Sequence, residues 1–318
     1  MNQRSAFTLG RRAPAAGTEP RFEIGTAIHK GARDYQQDAL VTNFLPGEDH
    51  GIAILADGMG GHLGGDVASA ISVGVAFAEI KSKLKPRGQS PSEISDLLSS
   101  AAHRANEAVA KQIIETPAMR DMGSTLVGCV ALGNSFHWIS IGDSPLYLYR
   151  SGVLKRLNAD HSMGPKIDVM AATGLIDQDL ATDHPQRNQL LSAIAGDEIP
   201  YIDCPSEAFT FKAGDIVILA SDGLQTLSDD EIRSIVHRKR KRGADEITQN
   251  LLNEVLDAES EGQDNVSIVG LKVLSDAPME DTTEDRVEVF DAFQELSLGG
   301  TGPALEKASD LLDEALRL

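Results

Sequence analysis

Cysteine is scarce in this chain, since only Cys129 and Cys204 occur among 318 residues. Two cysteines cannot build a disulfide framework for a chain of this length, so a reducing compartment is the natural setting. Apolar runs of membrane-spanning length are also lacking, and residues 1–20 contain arginines without the apolar segment of a signal peptide. We therefore expect a cytoplasmic protein with no membrane association.

Positive charge is the second shortage. Lysine and arginine total 29 against 48 aspartates and glutamates, which gives a formal net charge of -19. This balance argues against binding to nucleic acid, which needs a clustered positive surface. The one basic run, residues 237–242, ends a segment that begins at Ser228 and is closed by Gly243. The pattern predicts a solvated helix end with a glycine C-cap.

Short strand-like runs alternate irregularly with long amphipathic stretches between about residues 22 and 274, without an internal repeat. This spacing favours antiparallel sheets over a doubly wound parallel sheet, in which strands and helices alternate regularly. We predict an α+β fold, a central antiparallel β-sandwich flanked by α-helices on both faces. The predicted strands are Phe22 to Ile28, Ala39 to Phe44, Gly51 to Ala56, Thr125 to Leu132, Ser135 to Ile141, Pro145 to Arg150, Ile216 to Ala220 and Val266 to Val273. The predicted helices are Asp66 to Leu84, Pro91 to Ile114, Asp229 to Arg242 and Asp245 to Ala258.

The two ends of the chain differ in composition from its middle. We predict a flexible N-terminal segment over residues 1–20 and one domain over residues 21–274. Residues 275–318 are predicted to be an acidic linker followed by an amphipathic helical tail. Two roles are open for this tail. It could dock on the main domain, or it could be an appendage that binds a protein partner or regulates the enzyme.

Five aspartates lie where apolar runs meet turns, namely Asp38, Asp57, Asp143, Asp222 and Asp264. Three of them follow strand-like runs, so a sheet would bring their carboxylates to one rim. Carboxylates clustered without counter-charge repel each other and resist ionisation. Mg²⁺ or Mn²⁺ relieves this repulsion, because these hard cations take oxygen ligands. A metal-activated water is therefore the leading candidate for the chemistry.

Two residues near these aspartates suit a phosphoryl group and a metal. Arg33 lies five residues before Asp38, and its planar guanidinium could hold two phosphate oxygens. A surface ion pair is the alternative role for this arginine. Gly58 follows Asp57 in a glycine-rich turn, so a main-chain carbonyl could join the carboxylate as a metal ligand.

The order of short motifs along the chain is more specific than any single motif. Arg…Asp, Asp-Gly-Met-Gly-Gly, Gly-Ser-Thr, Gly-Asp-Ser, Asp-His-Ser, Ser-Asp-Gly and Asp-Asn follow one another between about residues 22 and 274. This ordered set resembles the metal-dependent serine/threonine protein phosphatases of the type 2C, or PPM, family, especially its bacterial branch. The resemblance implies a β-sandwich between helix pairs, with a two-metal centre at one end. It also implies hydrolysis of phosphoserine and phosphothreonine on proteins by an activated water.

The resemblance further implies a role for each matching residue. Arg33 would bind the substrate phosphate, and Asp38 and Gln37 would orient metal-bound waters. Asp57 would bridge two Mn²⁺ or Mg²⁺ ions. Asp222 and Asp264 would hold one of them, and the Gly58 carbonyl would hold the other. Asp143 would share a third, weaker ion with Asp222.

Two positions depart from the family pattern. Many members have Glu where Gln37 stands, and an amide adds no negative charge, which leaves the tuning of one metal open. Animal members have a histidine, the proposed general acid, directly after Asp-Gly, where this chain has Met59. His62 and His161 are the nearby candidates for proton transfer, and a structural hydrogen bond is the alternative role for each.

Residues 163–200 resemble the flap of bacterial members, which would lie beside the metal centre and help to choose substrates. The implied partners are phosphoprotein substrates and a cognate Ser/Thr kinase of the Hanks type. A cysteine-dependent phosphatase is disfavoured, because no arginine lies six residues after either cysteine. The alternative function is that of a non-enzymatic, phosphatase-like domain that binds phosphoproteins, or a partner through its tail.

Overall fold

The computed structural model describes residues 21–60 and 64–275. These residues belong to one compact unit, residues 19–277. Residues 1–20, 61–63 and 276–318 lie outside the described part of the chain. The predicted N-terminal segment and, apart from Ser275, the predicted tail therefore lie outside it. No helix in the described part of the chain is long and apolar enough to cross a membrane.

Strands and helices follow one another in an α+β order. The described strands are β1 (Phe22–His29), β2 (Ala39–Phe44), β3 (His50–Ala56), β4 (Gly58–Met59), β5 (Gly123–Ser124), β6 (Leu126–Leu132), β7 (Ser135–Ile141), β8 (Leu146–Arg150), β9 (Val153–Arg156), β10 (Phe209–Thr210), β11 (Ile216–Ala220) and β12 (Val266–Val273). The described α-helices are α1 (Gly65–Lys83), α2 (Pro91–Glu115), α3 (Gly164–Ala172), α4 (Gln178–Thr182), α5 (Asp229–Lys239) and α6 (Ala244–Asp257).

The strands form two five-stranded sheets in which every neighbouring pair is antiparallel. The first sheet has the order β1-β12-β11-β8-β9, and the second has the order β10-β7-β6-β3-β2. A separate two-stranded sheet pairs β4 with β5. This architecture confirms the predicted sandwich.

Alternation along single strands divides the core into three layers. Ala53 and Leu55 of β3 pack between the two sheets, whereas Ile52 and Ile54 face α1 and α2. β11 behaves in the same way in the first sheet, where α5 and α6 cover its outer face. Each central strand is thus buried on both sides, which explains why its sequence is almost wholly apolar.

Helix ends follow ordinary capping chemistry. Ser90 and Ser228 each form a capping box with the glutamate three residues later, at the N-termini of α2 and α5. The predicted C-cap at Gly243 is wrong, because α5 ends at Lys239 and Gly243 caps the N-terminus of α6 with an extended backbone. The basic run therefore spans the end of α5 and the turn into α6.

Candidate metal centre

Four of the five predicted aspartates lie next to strand ends and line one cleft. Asp57 directly follows β3, and Asp143 and Asp222 each come two residues after β7 and β11. Asp264 comes two residues before β12. Together with Arg33 these carboxylates line a cleft of about 530 Å³. The antiparallel sheets thus bring together residues that are up to 231 positions apart in sequence.

Thr125 fixes the backbone of Asp57. The Asp57 N–H donates to Thr125 Oγ1 at 2.9 Å, and the Thr125 N–H donates to the Asp57 carbonyl at 2.8 Å. The threonine hydroxyl also hydrogen-bonds Ser144 Oγ at 2.7 Å, beside Asp143. One residue of the Gly-Ser-Thr motif therefore connects the loops of two predicted metal ligands.

Gly58 lies where backbone segments crowd together. A Cβ atom at this position would be 2.1 Å from the Gly65 carbonyl oxygen and 2.4 Å from the Gln37 carbonyl oxygen. The Gly58 N–H donates to that same Gln37 oxygen at 3.1 Å. Only glycine allows this approach, which holds the turn after Asp57 against the start of α1.

Asn265 secures the loop that contains Arg33. Its Nδ2 donates to the carbonyls of Lys30 at 2.8 Å and Tyr35 at 2.9 Å, and its Oδ1 accepts from the Gln37 N–H at 2.7 Å. The side chain is buried, so these bonds satisfy backbone groups that water does not reach. The sequence showed this asparagine only as part of the Asp-Asn motif, and no role was predicted for it.

Asp38, the fifth predicted aspartate, does not line the cleft but is a buried carboxylate near Asp222 and Asp264. Its Oδ2 accepts a hydrogen bond from Ser221 Oγ at 2.8 Å, while its Oδ1 has no partner among the described residues. Burial, with a smaller contribution from the charges of Asp222 and Asp264, raises the pKa of Asp38 to about 6 despite the hydrogen bonds that lower it. Its carboxylate is therefore expensive to ionise without a nearby cation.

The other carboxylates show the same electrostatic strain. Burial raises the pKa of Asp57 well above its usual range, and the charges of Asp38, Asp222 and Asp143 add to the effect. Burial, followed by the charges of Asp222 and Asp160, raises the pKa of Asp143 to about 7. The pKa of Asp222 is raised by burial and by Asp264. Such mutual repulsion is what a divalent cation would remove.

Two buried carboxylate oxygens without hydrogen-bond partners within the described structure show whether the site suits a metal ion. Asp222 Oδ1, like Asp38 Oδ1, is buried without a hydrogen-bond partner in the described part of the chain. Buried anionic oxygens of this kind suit the oxygen-only coordination of Mg²⁺ or Mn²⁺, so the residues fit such ions.

The side chains do not yet form a closed cage. Within residues 21–60 and 64–275, no three His, Cys, Asp or Glu side chains converge into a compact metal-binding group. Asp264 Oδ2 instead accepts from Arg33 Nη2 at 2.7 Å, and its Oδ1 accepts from the Asn265 N–H at 2.8 Å. The arginine predicted to hold phosphate is thus engaged by a predicted metal ligand.

The remaining predicted residues lie in different surroundings. Gln37 lines the cleft. His161 is buried beside it, where its Nδ1 accepts from the Gly142 N–H at 3.3 Å and its ring lies 5.8 Å from that of Tyr201. Burial lowers the pKa of His161, which favours the neutral ring. His62 lies outside the described residues.

The predicted flap region contains more regular structure than its sequence indicated. Residues 163–200 include α3 and α4. Arg187, which follows α4, pairs with Asp168 of α3 at 2.7 and 3.0 Å and donates to the Ala181 carbonyl of α4 at 3.3 Å. Asn188 and Leu190, which follow α4, line the carboxylate cleft. Residues of this region therefore form one wall of the candidate site.

Comparison with known proteins supplies the deciding observation. The family model described as protein phosphatase 2C matches residues 26–257, which include all of the cleft's carboxylates except Asp264. The chain belongs to the protein phosphatase 2C family.

Individual members of the protein phosphatase 2C family show the same relationship. The chain is 33% identical over 215 residues to serine/threonine protein phosphatase PstP of Mycobacterium tuberculosis (strain CDC 1551 / Oshkosh), a match that covers 68% of this chain and 39% of PstP. It therefore spans well under half the length of that relative. It is 31% identical over 193 residues to serine/threonine phosphatase stp of Listeria monocytogenes (serotype 4b, strain F2365), covering 59% of this chain and 73% of stp.

A solved structure of the protein phosphatase 2C fold also superposes on the chain. The catalytic domain of PstP, in a crystal structure with two manganese ions, matches with a TM-score of 0.64 and 26% identity. The match covers 80% of this chain and 99% of that domain.

Proposed function

We propose that this chain is a metal-dependent protein phosphatase that hydrolyses phosphoserine and phosphothreonine on proteins. The observation that supports it most is the cleft itself, in which Arg33 and the carboxylates of Asp57, Asp143, Asp222 and Asp264 lie together. Family membership and the manganese ions in the PstP structure favour the same activity. Strain among the carboxylates gives a physical reason for a cation requirement.

Each residue has a distinct part in this proposal. Asp57, Asp222 and Asp264, with the Gly58 carbonyl, would hold two Mn²⁺ or Mg²⁺ ions, and Asp143 would help to hold a third. When bound, such ions stabilise charge on the phosphoryl group and lower the pKa of a coordinated water. Asp38 and Gln37 would orient water, since Asp38 keeps one free acceptor oxygen.

Arg33 would exchange its partner Asp264 for the substrate phosphate when metal ions bind. Its ion pair with Asp264 is 55% exposed on the arginine side and 40% on the aspartate side, and pairs this exposed contribute little stability. Rotation of Asp264 toward a cation would therefore cost little and would free the guanidinium for two phosphate oxygens. His161 is assigned a structural role, because its Nδ1 is used on the backbone next to Asp143.

The proposal also extends to the class of substrate, the partner and the location of the protein. Phosphoproteins are the substrate class, a cognate Ser/Thr kinase supplies them, and the activity serves signal transduction in the cytoplasm. The wall formed by residues 163–200 would contact the substrate beyond its phosphate. The domain limits of residues 21–274 and the tail over residues 275–318, with its docking or partner-binding role, stay predictions.

Hydrolysis of p-nitrophenyl phosphate and of a phosphothreonine peptide tests the proposal. Purified full-length chain should turn over both substrates with added Mn²⁺ and should lose activity in EDTA. The Asp57→Ala variant should lose activity by at least about 100-fold, because a metal ligand is removed. Asp121→Ala is the matched control, since this aspartate is 83% exposed and outside the cleft, and it should retain wild-type turnover.

The same assay distinguishes a phosphatase from a domain that binds phosphoproteins without hydrolysing them. A phosphoprotein-binding module without catalysis would bind the phosphothreonine peptide but release no phosphate at any Mn²⁺ concentration. Turnover that persists in EDTA and in Asp57→Ala would exclude the metal-dependent mechanism.

A further inference from the structure

A second cavity, of about 320 Å³, lies at the other end of the first sheet. Its walls come from the turn between β8 and β9, the turn before β11 and the C-terminal end of α5. The carboxylate cleft lies beyond the opposite end of β11, after Ala220. A five-residue strand is roughly 16 Å long, so the two sites are separate.

Basic side chains dominate this second cavity. Lys212, His237 and Arg240 line it. In the part of the chain that the structure describes, no acidic side chain pairs with Lys212 or Arg240. Arg238 and Lys239, which precede Arg240 in sequence and lie outside the cavity, are by contrast paired with glutamates of α6 at 3.2 and 3.4 Å. The cavity therefore has a local positive charge on a chain whose formal charge is -19.

The one acidic residue of the cavity does not cancel this charge. Asp215 accepts from Arg150 Nε at 2.8 Å and Nη2 at 2.5 Å, and from the Lys212 N–H at 2.8 Å. Its side chain is only 1% exposed. Arg150 and Asp215 thus neutralise each other as a fixed part of the wall, and the charges of Lys212 and Arg240 are left over.

Hydrogen-bond donors in the wall have defined positions. The Tyr149 hydroxyl is 2.6 Å from His237 Nδ1, which fixes the orientation of both rings. Arg240 Nη1 donates to the His237 carbonyl, which offsets the negative end of the α5 dipole. The other guanidinium N–H groups of Arg240 stay available for a ligand.

We propose that this cavity is a binding site for a phosphate dianion, separate from the carboxylate cleft. A guanidinium, an ammonium and an imidazole around one cavity match the charge and the acceptor oxygens of such a group. The cavity exceeds the size of one phosphate, so it can admit a phosphorylated side chain as well as free phosphate. This inference does not depend on catalysis at the carboxylate cleft.

Binding to a chain that cannot turn over its ligand tests the site. The probe is a fluorescein-labelled peptide with one phosphoserine, titrated with full-length Asp57→Ala protein in EDTA at fixed ionic strength and followed by fluorescence anisotropy. The phosphopeptide should bind, and its unphosphorylated twin should not. Addition of Arg240→Glu should weaken binding by about tenfold or more, because a charged hydrogen-bond donor is replaced by a repelling charge.

Lys241→Glu is the matched control, since this exposed residue is adjacent in sequence, lies outside the cavity and changes the net charge equally. It should change affinity less than twofold, and thermal unfolding followed by circular dichroism should show both variants folded. Competition with inorganic phosphate distinguishes the two sources of the phosphate group. If inorganic phosphate displaces the labelled peptide at a concentration near the peptide's own dissociation constant, the site takes free phosphate. If it displaces the peptide only weakly, the site takes a phosphorylated side chain. Equal losses in the two variants, equal binding of the unphosphorylated twin, or no binding of the phosphopeptide would overturn the proposal.

Discussion

At the scale of single residues, the cleft is a set of acids held where they ionise with difficulty. Burial is the largest cause for Asp38, Asp57, Asp143 and Asp222, and mutual repulsion adds to it. A carboxyl group whose pKa is raised in the folded state holds its proton more tightly there than in the unfolded chain. The metal-free protein should therefore lose stability as the pH rises.

Asp143→Asn tests this electrostatic cost. The folded-state pKa is about 7 against an ordinary value of 3.8, so the free energy of unfolding should fall between about pH 4 and 7 and then level off. The amide should remove part of this fall, on the order of 1.4 kcal/mol for each unit of pKa difference. Urea unfolding in EDTA at pH 5 and pH 8 measures it.

Asp121→Asn, at an exposed position, should leave the pH dependence unchanged. An identical loss of stability between pH 5 and pH 8 in wild type and Asp143→Asn would contradict the account. In wild-type protein, Mn²⁺ should stabilise more strongly at pH 8 than at pH 5, because the ion competes with protons for the same oxygens.

At the scale of elements, close backbone contact positions the site. The turn after Asp57 packs against the N-terminus of α1 through Gly58, where a side chain has no room. Replacement of Gly58 by alanine should force the turn and α1 apart. We expect Gly58→Ala to lower the free energy of unfolding by about 1–3 kcal/mol or more and to weaken Mn²⁺ binding.

Gly74→Ala, in the middle of α1, is the control. Nothing lies within 4 Å of a Cβ atom at Gly74, so alanine should stabilise the protein by about 0.5–1 kcal/mol and leave Mn²⁺ affinity unchanged. Urea unfolding and a Mn²⁺ titration compare the two variants. A harmless Gly58→Ala would show that the close approach at this turn is not needed.

Elements with strong local patterns were predictable from sequence. The bounds of β2, β7, β11 and β12 agree with the prediction, because each is an apolar run between turn signals. β4 and β5 were missed, since two-residue strands exist only through pairing between segments far apart in sequence. The short helices α3 and α4 were missed because nine and five residues give little periodicity.

The same distinction applies within the site. The aspartates and Arg33 stand out in sequence because they belong to short motifs in a fixed order. Their supporting residues do not: Ser221 reaches Asp38 across 183 positions, and Asn265 reaches Gln37 across 228. Such roles depend on the sheet order, which local patterns do not specify. A surface ion pair was the alternative role for Arg33, but its partner Asp264, 231 positions away, was not predicted.

At the scale of the whole molecule, the sandwich separates two sites of opposite charge. The acidic cleft lies at one end of β11 and the basic cavity at the other. Neighbouring strands and the α5–α6 layer hold both ends in a fixed relation.

The most direct measurement is the number of manganese ions bound per chain, counted by Mn²⁺ titration with electron paramagnetic resonance. Two ions should bind to the wild-type chain as a magnetically coupled pair, by analogy with the two ions in PstP. Asp57→Ala should abolish the coupled signal, because a proposed metal ligand is removed, while Asp121→Ala should retain it. Equal binding and identical spectra for wild type and Asp57→Ala would contradict the central claim that the clustered carboxylates form a metal centre.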